Sequence, residues 1–196
     1  YHVRVLDNLS FGGESIIELL NDRNFDFIKG DIRDQETLDK AMNGIDYVAH
    51  LASIVGDPAC ALNPELTKDV NLNGAFKTYL TANKAGVKKF VFASTCSNYG
   101  KMKNPNEYVT EESEINPISL YAETKVEFEN FLLSQDKKSM AKPTCLRFST
   151  VYGLSPRIRF DLTVNEFTKE LAMGRELVIF GEQFWRPYCH VNDLSL

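Results

Sequence analysis

The chain has 196 residues, of which 43% are hydrophobic and 25% charged, a composition that supports a folded core and excludes a disordered chain. Its formal net charge of -5 disfavours binding to nucleic acids or anionic membranes, because both repel an acidic protein. The four cysteines are too scattered for a zinc site or a redox CxxC pair, so we expect no metal site. The sequence shows no signal peptide and no apolar run of membrane-spanning length, so we expect a cytoplasmic protein.

Short β-branched and apolar runs alternate with stretches whose apolar residues recur at helical spacing. Strands are predicted, in chain order, at 2–7, 25–28, 46–51, 89–93, 144–148 and 177–179. Helices are predicted over 14–22, around 38–45, around 72–80, over 119–134 and around 164–171. The stretch 101–118, rich in Asn, Pro and Glu, is predicted to be a long surface loop. This alternation is typical of an α/β protein with a doubly wound parallel sheet, covered by helices on both faces.

Ligands of such a sheet bind beyond the carboxyl ends of its strands, so the residues that follow each strand are candidate site residues. Asp7 and Asn8 follow the first predicted strand. A carboxylate there could accept hydrogen bonds from an adenosine ribose and repel a 2′-phosphate, favouring NAD over NADP; an ordinary turn is the alternative. Asp31, which follows the second strand with Ile32, could meet the adenine edge or cap a helix.

The third predicted strand ends in His50, which we interpret as a packed histidine and not as a catalytic one. The small residues that follow would let a dinucleotide approach the backbone closely. The fourth strand ends in Ser94 and Thr95, followed by Cys96 and Ser97. Hydroxyl groups at this position could bind a sugar oxygen that is being oxidised, although a simple turn is also compatible with these residues.

Tyr121 and Lys125 lie four residues apart in a predicted helix, where they share one face. A lysine ammonium lowers the pKa of a nearby phenol, and a tyrosinate poised near neutral pH can remove a hydroxyl proton as a general base. The same YxxxK pattern occurs at Tyr99 and Lys103. That second pair falls in a predicted loop, where residues four apart need not face each other, so the helix favours Tyr121 and Lys125.

In this order the motifs resemble those of the extended short-chain dehydrogenase/reductases and, more narrowly, the NAD-dependent epimerase/dehydratase family that acts on nucleotide sugars. The resemblance rests on the joint order of soft motifs and covers essentially the whole chain. The motifs are Asp7, Asp31, His50-Leu51-Ala52, Asn71-x-x-Gly74, Ser94-Thr95, Tyr99-Gly100, Tyr121-x-x-x-Lys125, Arg147-Phe148-x-x-Val151-Tyr152-Gly153 and Phe184-Trp185-Arg186-Pro187-Tyr188-Cys189-His190-Val191-x-Asp193.

The resemblance implies an NAD-dependent nucleotide-sugar epimerase in which Tyr121 is the base, Lys125 its partner and Thr95 the residue that orients the sugar hydroxyl. The other residues of the implied NAD site are Asp7, Asn8, Asp31, Ile32, Leu51, Ala52, Ser53, Asn71, Ser94, Phe148 and Val151. The implied contacts of the nucleotide-diphosphate sugar are Thr95, Cys96, Ser97, Thr150, Asn165 and Arg186. Arg186 would bind the diphosphate, or else be a solvated surface residue. Relatives also pair as homodimers through helices that correspond to 72–86 and 119–134.

The implied domains are a Rossmann-like NAD-binding domain over 1–153 and, over 154–196, the beginning of a smaller substrate-binding lobe with a return segment. Relatives open with a strand and a GxxGxxG turn whose amides bind the pyrophosphate. This chain opens in what corresponds to their second strand, and Gly12-Gly13 follows the ribose-binding acid instead of preceding it. We therefore expect a domain that lacks its first strand and glycine-rich loop, with unpaired strand edges and truncation at both ends. A non-catalytic fragment that cannot bind NAD is the alternative to an enzyme.

Positions 96, 97 and 150 bear on the reaction. The 4,6-dehydratases of the family carry an acidic residue just after the threonine of this motif, where the chain has Cys96 and Ser97. The pattern therefore favours epimerisation over dehydration, with a dehydratase or a 4-ketoreductase as the alternatives. Thr150 stands where many relatives have an asparagine that touches the substrate, so the pattern does not identify the sugar of the substrate.

Overall fold

The computed structural model describes residues 1–101, 104, 107–135, 139–183 and 185–196. Its strands are β1 (Val3–Asp7), β2 (Phe25–Lys29), β3 (Tyr47–His50), β4 (Lys89–Thr95), β5 (Lys142–Phe148), β6 (Thr150–Tyr152) and β7 (Tyr188–His190). Its α-helices are α1 (Gln35–Met42), α2 (Asp57–Leu62), α3 (Pro64–Lys68), α4 (Ala75–Lys84), α5 (Leu120–Leu133), α6 (Thr163–Ala172) and α7 (Val191–Leu194). A π-helical turn (Asp69–Gly74) joins α3 to α4, and 3-10 turns cover Glu14–Asn21 and Cys96–Tyr99.

The described strands pair in parallel in three groups, ordered β1-β2, β3-β4-β5 and β6-β7. Asp7 of β1 lies opposite Lys29, and Thr95 of β4 lies opposite Phe148. Parallel pairing therefore brings several predicted site residues to the carboxyl ends of their strands. The α/β class with parallel strands is confirmed.

A shared helical layer connects the first two groups of strands. Arg4 of β1 donates from Nη1 to the carbonyl oxygens of Ala41 and Asn43 at the end of α1, at 3.2 and 2.8 Å. From α1, Gln35 Nε2 donates to Thr81 Oγ1 of α4 at 2.9 Å. Helices α1 and α4 thus pack over both groups of strands and enclose a continuous core.

Aromatic side chains fill the centre of this core. Phe90 and Phe92 of β4 meet Tyr79 of α4 and Phe128 of α5, and all four are at most 1% exposed. Burying each such ring contributes about 2 to 3 kcal/mol relative to leaving it in water. The packing fixes α5 against β4, and α5 begins where Ser119 Oγ accepts a hydrogen bond from the amide of Ala122 at 3.3 Å.

Two glycines of the sequence motifs are required by close contacts. A Cβ on Gly74 would lie 2.7 Å from Ile32 Cδ1, so the glycine lets the π-helical turn approach the end of β2. Gly100 has a φ of 59°, and its Cβ would lie 1.7 Å from the carbonyl oxygen of Asn116. Larger residues at either position would displace a segment beside the strand ends.

Two of the predicted elements differ in the structure. The strand predicted at 177–179 is wrong: these residues are irregular, with Val178 68% and Ile179 52% exposed. Apolar residues form a strand only beside a partner, and here the partner of β6 is β7, which the sequence did not predict. The helix predicted over 14–22 is a 3-10 helix with no buried residue, so its apolar stripe, which includes Ile17 and Leu20, stays exposed.

None of the helices in the described part of the chain combines the length and the apolar character needed to cross a membrane. Over the same residues, no group of three or more His, Cys, Asp or Glu side chains is arranged to hold a metal ion.

His50 is packed inside the core, as the sequence interpretation expected. Its ring stacks against Phe90 and Phe92, with centroids 5.7 and 6.1 Å away, and meets Phe128 edge-on. Nε2 is buried without a hydrogen-bond partner. Burial, with a smaller contribution from the charge of Lys125, lowers the pKa of His50 to about 3.

This buried histidine should make the fold sensitive to acid. Below about pH 6.5 the His50 side chain of the unfolded chain is protonated, whereas in the folded chain it is protonated only below about pH 3. As the pH is lowered through this range, His50 should therefore reduce the free energy of unfolding by about 1.4 kcal/mol per pH unit. Urea unfolding measures this dependence, and in His50→Leu the free energy of unfolding should vary less steeply with pH over this range. Phe90→Leu changes the same core without a titratable group and should retain it; equal slopes in His50→Leu and the unmodified chain would contradict the assignment.

Candidate active site

Helix α5 brings Tyr121 and Lys125 to the carboxyl end of β4. The Tyr121 phenol lies within hydrogen-bond reach of the Thr95 side chain. Lys125 Nζ donates to the carbonyl oxygen of Ala93 at 2.9 Å and lies 5.7 Å from the centroid of the Tyr121 ring. Lys125 and Thr95 are buried and Tyr121 is half-buried. The three predicted catalytic groups therefore lie together at the rim of the sheet.

The pKa shifts at this site differ from the sequence prediction. Burial raises the pKa of Tyr121 to about 12, despite the lowering effect of the Thr95 hydroxyl, and burial lowers the pKa of Lys125 to about 8. The ammonium donates to the Ala93 carbonyl, and desolvation is the largest cause of the raised pKa of Tyr121. Further positive charge beside the ring would favour the phenolate.

The Thr95 hydroxyl has a defined orientation. Thr95 is the N-cap of the 3-10 turn Cys96–Tyr99, and its Oγ1 accepts a hydrogen bond from the amide of Ser97 at 3.1 Å. One of the two acceptor lone pairs of Oγ1 is thus used by the backbone. Its proton is free to point to the phenol oxygen or to an oxygen bound beside it.

Asn71 connects α5 to the loop that follows β3. Its Oδ1 accepts from the amide of Ile54 at 2.8 Å, and its Nδ2 donates to the Ile54 carbonyl at 3.1 Å and to Thr124 Oγ1 at 3.3 Å. Asn71 is thus bonded to Thr124, the residue that precedes Lys125 in α5.

Asp7 is exposed at the end of β1. Its Oδ1 accepts a hydrogen bond from the amide of Leu9 at 2.6 Å, and Leu9 adopts a positive φ of 58°. The turn borders a cavity of about 150 Å³ whose lining includes Asp7, Phe11 and Arg157.

Asp31 is tied to an arginine that sequence reasoning missed. Arg33 donates from Nε and Nη2 to the two oxygens of Asp31, at 2.9 and 2.8 Å, and from Nη1 to Asp69 at 2.9 Å. The guanidinium holds the pKa of Asp31 at about 2, and a hydrogen bond from Asn8 contributes. Asn8 and Asp31 therefore meet across the ends of β1 and β2.

The other residues of the predicted NAD site are placed unequally. The Ile32 side chain is part of the core, and the Ser94 hydroxyl points into the protein, so either residue can meet a ligand only through its backbone. Leu51 is exposed after β3, while Ala52 and Ser53 are half-buried. Phe148 and Val151 are half-buried at the end of β5 and in β6.

The predicted substrate residues lie around the same rim and differ in burial and in hydrogen bonding. Cys96 and Ser97 follow Thr95 and are half-buried, and burial raises the pKa of the Cys96 thiol while the charge of the exposed Arg186 lowers it. Arg186 is thus close to the turn after β4. Asn165 uses its amide on the backbone of Gly153 and Arg159. Thr150 lies in β6, opposite Tyr188.

Sequence reasoning missed two further groups beside the phenol, Arg159 and Cys60. The charge of Arg159 lowers the pKa of Tyr121, and its Nη2 lies 3.4 Å from where a Cβ on Gly56 would be. Arg159 also pairs with Asp161 at 2.6 Å. Cys60 of α2 is buried, with its Sγ 3.4 Å from the Ile54 carbonyl. Neither residue belongs to a spacing pattern that could have revealed it.

Two quoted motifs extend past the described residues. Lys103, the partner of Tyr99 in the second YxxxK match, lies outside them, as does Phe184. Tyr99 has another contact, because its hydroxyl accepts a hydrogen bond from Arg147 Nη1 at 3.0 Å.

Comparison with known proteins identifies the family. The model of the NAD dependent epimerase/dehydratase family matches residues 1–195. The chain belongs to this family. A UDP-glucose 4-epimerase of Lactobacillus helveticus is 34% identical over 209 residues, an alignment that covers 98% of the chain and 62% of the relative. The chain thus spans less than two thirds of the length of this member of the epimerase/dehydratase family.

Solved structures of family members share the fold. A UDP-N-acetylglucosamine 4-epimerase from Methanobrevibacter ruminantium, in complex with UDP-N-acetylmuramic acid, matches with a TM-score of 0.85 at 28% identity; 99% of the chain and 63% of that structure are covered. A UDP-glucuronic acid 4-epimerase from Bacillus cereus, in complex with UDP-glucuronic acid and NAD, matches with a TM-score of 0.82 at 27% identity, covering 99% and 62%. Both extend the epimerase/dehydratase likeness over nearly all of the chain.

The Asn71 contacts generate a test of the site's architecture. Asn71→Ala removes the only side-chain acceptor shown for the amide of Ile54 in the described structure, so the free energy of unfolding should fall by about 1 to 3 kcal/mol. Hydrogen exchange at 51–56 should also become faster. Asn73→Ala is the matched control, because Asn73 is exposed and bonds only Asp69 among the contacts shown, and it should change stability by less than about 0.5 kcal/mol. Equal effects in the two variants would contradict the role given to Asn71.

Proposed function

We propose that this chain supplies the catalytic groups of an NAD-dependent nucleotide-sugar epimerase, with Tyr121 as the general base. The observation that carries the proposal is the meeting of the Tyr121 phenol, the Thr95 hydroxyl and the Lys125 ammonium at the carboxyl end of β4. The named relatives support the substrate class, since the three proteins described above are 4-epimerases of UDP-sugars.

The orientation of Thr95 suggests the path of the proton. A sugar hydroxyl placed between Thr95 and Tyr121 would accept from the Thr95 proton and donate to the phenolate. Tyr121 would then take that proton and later return it, as a general base and acid. Lys125 would favour the phenolate through its charge, 5.7 Å from the ring centroid.

The residues present fit the two ends of NAD. Asp7 would accept the hydroxyls of the adenosine ribose, and Lys125 would lie on the nicotinamide side; when bound, NAD supplies a reversible two-electron acceptor for the sugar carbon. The cavity beside Asp7, about 150 Å³, is smaller than the roughly 300 to 1,000 Å³ of typical ligand pockets, so it suits one part of a dinucleotide. The 196 residues contain no GxxGxxG turn for the pyrophosphate.

Cys96 and Ser97 favour epimerisation over dehydration. Expelling a sugar hydroxyl as water requires an acid that protonates it, and neither residue carries a carboxyl group. Burial raises the pKa of the Cys96 thiol and makes it a weaker acid still. Epimerisation needs only the reversible proton transfer that Tyr121 provides.

The remaining proposals concern organisation. We assign residues 1–153 to the NAD-binding domain, and 154–196 to the beginning of the substrate lobe and the return segment that places β7 beside β6. A homodimer through α4 and α5 is supported by Leu80 and Leu133, which are 55% and 63% exposed on these helices. We place the protein in the cytoplasm because its cysteines are free thiols.

Replacement of the base tests the mechanism. In the full-length protein, Tyr121→Phe should lower kcat for interconversion of UDP-sugar 4-epimers by about 10²- to 10⁴-fold, because the acceptor of the hydroxyl proton is lost. Bound NAD should be retained. Tyr108→Phe, at a residue that is 98% exposed, is the control and should be fully active. Chromatography of UDP-glucose, UDP-glucuronate and their 4-epimers measures the rates, and undiminished turnover in Tyr121→Phe would remove Tyr121 from the mechanism.

A chimera separates the enzyme from the non-catalytic alternative. Titration calorimetry should show weak NAD binding by this chain. Affinity should be at least about tenfold higher when a strand and GxxGxxG turn of the kind implied by the family resemblance are joined to its start, since such a turn contributes backbone donors to the pyrophosphate. Asp7→Ala in the chimera should reduce the gain. Failure of both forms to bind NAD would favour a non-catalytic protein.

A further inference from the structure

One buried carboxylate lies at the centre of a group of polar side chains next to the Tyr121 site. Glu129 of α5 is 2% exposed. Its Oε2 accepts hydrogen bonds from Ser94 Oγ at 2.6 Å and from Asn98 Nδ2 at 3.1 Å. Its Oε1 accepts from Arg147 Nε at 2.9 Å and also from Nη2. We call Ser94, Asn98, Glu129 and Arg147 the carboxylate clamp.

The clamp holds the segment that carries Thr95 from both sides. Ser94 precedes Thr95 at the end of β4, and Asn98 lies three residues after it in the 3-10 turn. Asn98 Nδ2 also donates to Ser94 Oγ at 3.0 Å, which closes a triangle of hydrogen bonds with Glu129. Thr95 is therefore fixed between two anchored neighbours.

The same carboxylate completes a stripe along α5. Tyr121, Lys125 and Glu129 follow each other at intervals of four residues, so they lie on one face of the helix. They contact three successive residues of β4: Tyr121 meets Thr95, Lys125 binds the Ala93 carbonyl, and Glu129 binds Ser94. Three polar contacts therefore set the rotation and the axial position of the helix against the strand.

Arg147 extends the clamp to the long loop. Its Nη1 donates to the Tyr99 hydroxyl and to the Glu111 carbonyl, both at 3.0 Å, and its side chain is only 14% exposed. Desolvating two charges is costly, and apolar residues of similar volume often serve stability as well. The Asn98 Oδ1 atom is also buried without a partner. Stability alone therefore does not account for the clamp.

We propose that Glu129 is a positioning residue which, through Ser94 and Asn98, fixes the Thr95 hydroxyl against the Tyr121 phenol. This inference rests on the proposed function of Tyr121 and Thr95. Because enzymatic rates depend steeply on the placement of reacting groups, loss of the clamp should affect turnover more than substrate binding.

The experiment replaces the ion pair with apolar residues, Glu129→Leu together with Arg147→Leu, so that no charge is left unpaired. In the full-length protein, kcat should fall by about 10- to 100-fold while KM for the UDP-sugar stays within about twofold. Amide hydrogen exchange should become faster at 94–99 but not in α1 or β2. The matched control is Arg4→Leu with Asp26→Leu, which removes a partly buried pair between β1 and β2 and should leave kcat and exchange at 94–99 unchanged.

Either of two results would overturn the proposal. One is that the Glu129→Leu, Arg147→Leu variant has the same kcat and the same exchange rates at 94–99 as the control variant. The other is exchange that rises equally in α1, β2 and 94–99, which indicates a merely structural role. Should the double variant fail to fold, Asn98→Ala leaves the ion pair intact and should give a smaller change in the same direction; unchanged kcat and unchanged exchange there would also overturn the proposal.

Hydrogen exchange separates this proposal from the proposed function, since it requires no turnover. An active Tyr121→Phe variant would refute the role of Tyr121. If Tyr121→Phe is inactive but exchange at 94–99 is unchanged in the Glu129→Leu, Arg147→Leu variant, only the proposal for the clamp is refuted.

Discussion

Desolvation where α5 packs against the end of β4 sets the direction of the pKa shifts at the candidate site. Burial disfavours the charged form of both central groups, raising the pKa of Tyr121 to about 12 and lowering that of Lys125 to about 8. Burial therefore favours the neutral phenol, and added positive charge beside the ring would favour the phenolate. The same low-dielectric surroundings strengthen the effect of such a charge. Under the proposed function, the burial that keeps the phenol neutral would therefore also make it responsive to added positive charge.

The cost of desolvation also explains the hydrogen bonds of the polar groups around the candidate site. Lys125 binds a backbone carbonyl, Asn71 uses both ends of its amide on Ile54, and Glu129 accepts from three side chains. Buried polar atoms need such partners because leaving one unpaired costs free energy. Among the described residues, only His50 Nε2 and Asn98 Oδ1 are buried side-chain atoms without a partner. One belongs to the aromatic core and the other to the clamp.

The predictions from sequence were best where a short pattern determines the local structure. The parallel α/β class and most elements follow from hydrophobic periodicity, and Tyr121 and Lys125 follow from a four-residue spacing on a helix, which places two side chains on one face in any fold. The strand predicted at 177–179 was wrong because its apolar run finds no neighbour, whereas Tyr188–His190 pairs with β6. The binding roles of Asp7, Arg186 and the other cofactor and substrate residues remain predictions.

By itself, the sequence determined the class of fold, the helix that carries Tyr121 and Lys125, and the threonine at the end of β4, since each depends on neighbours in the chain. Only the tertiary structure decided which side chains meet across elements. Glu129 reaches Arg147 over 18 residues and Ser94 over 35, and Arg33 occupies the carboxylate of Asp31. The direction of each pKa shift was also decided there, because desolvation depends on the packing of distant segments and no local spacing records it.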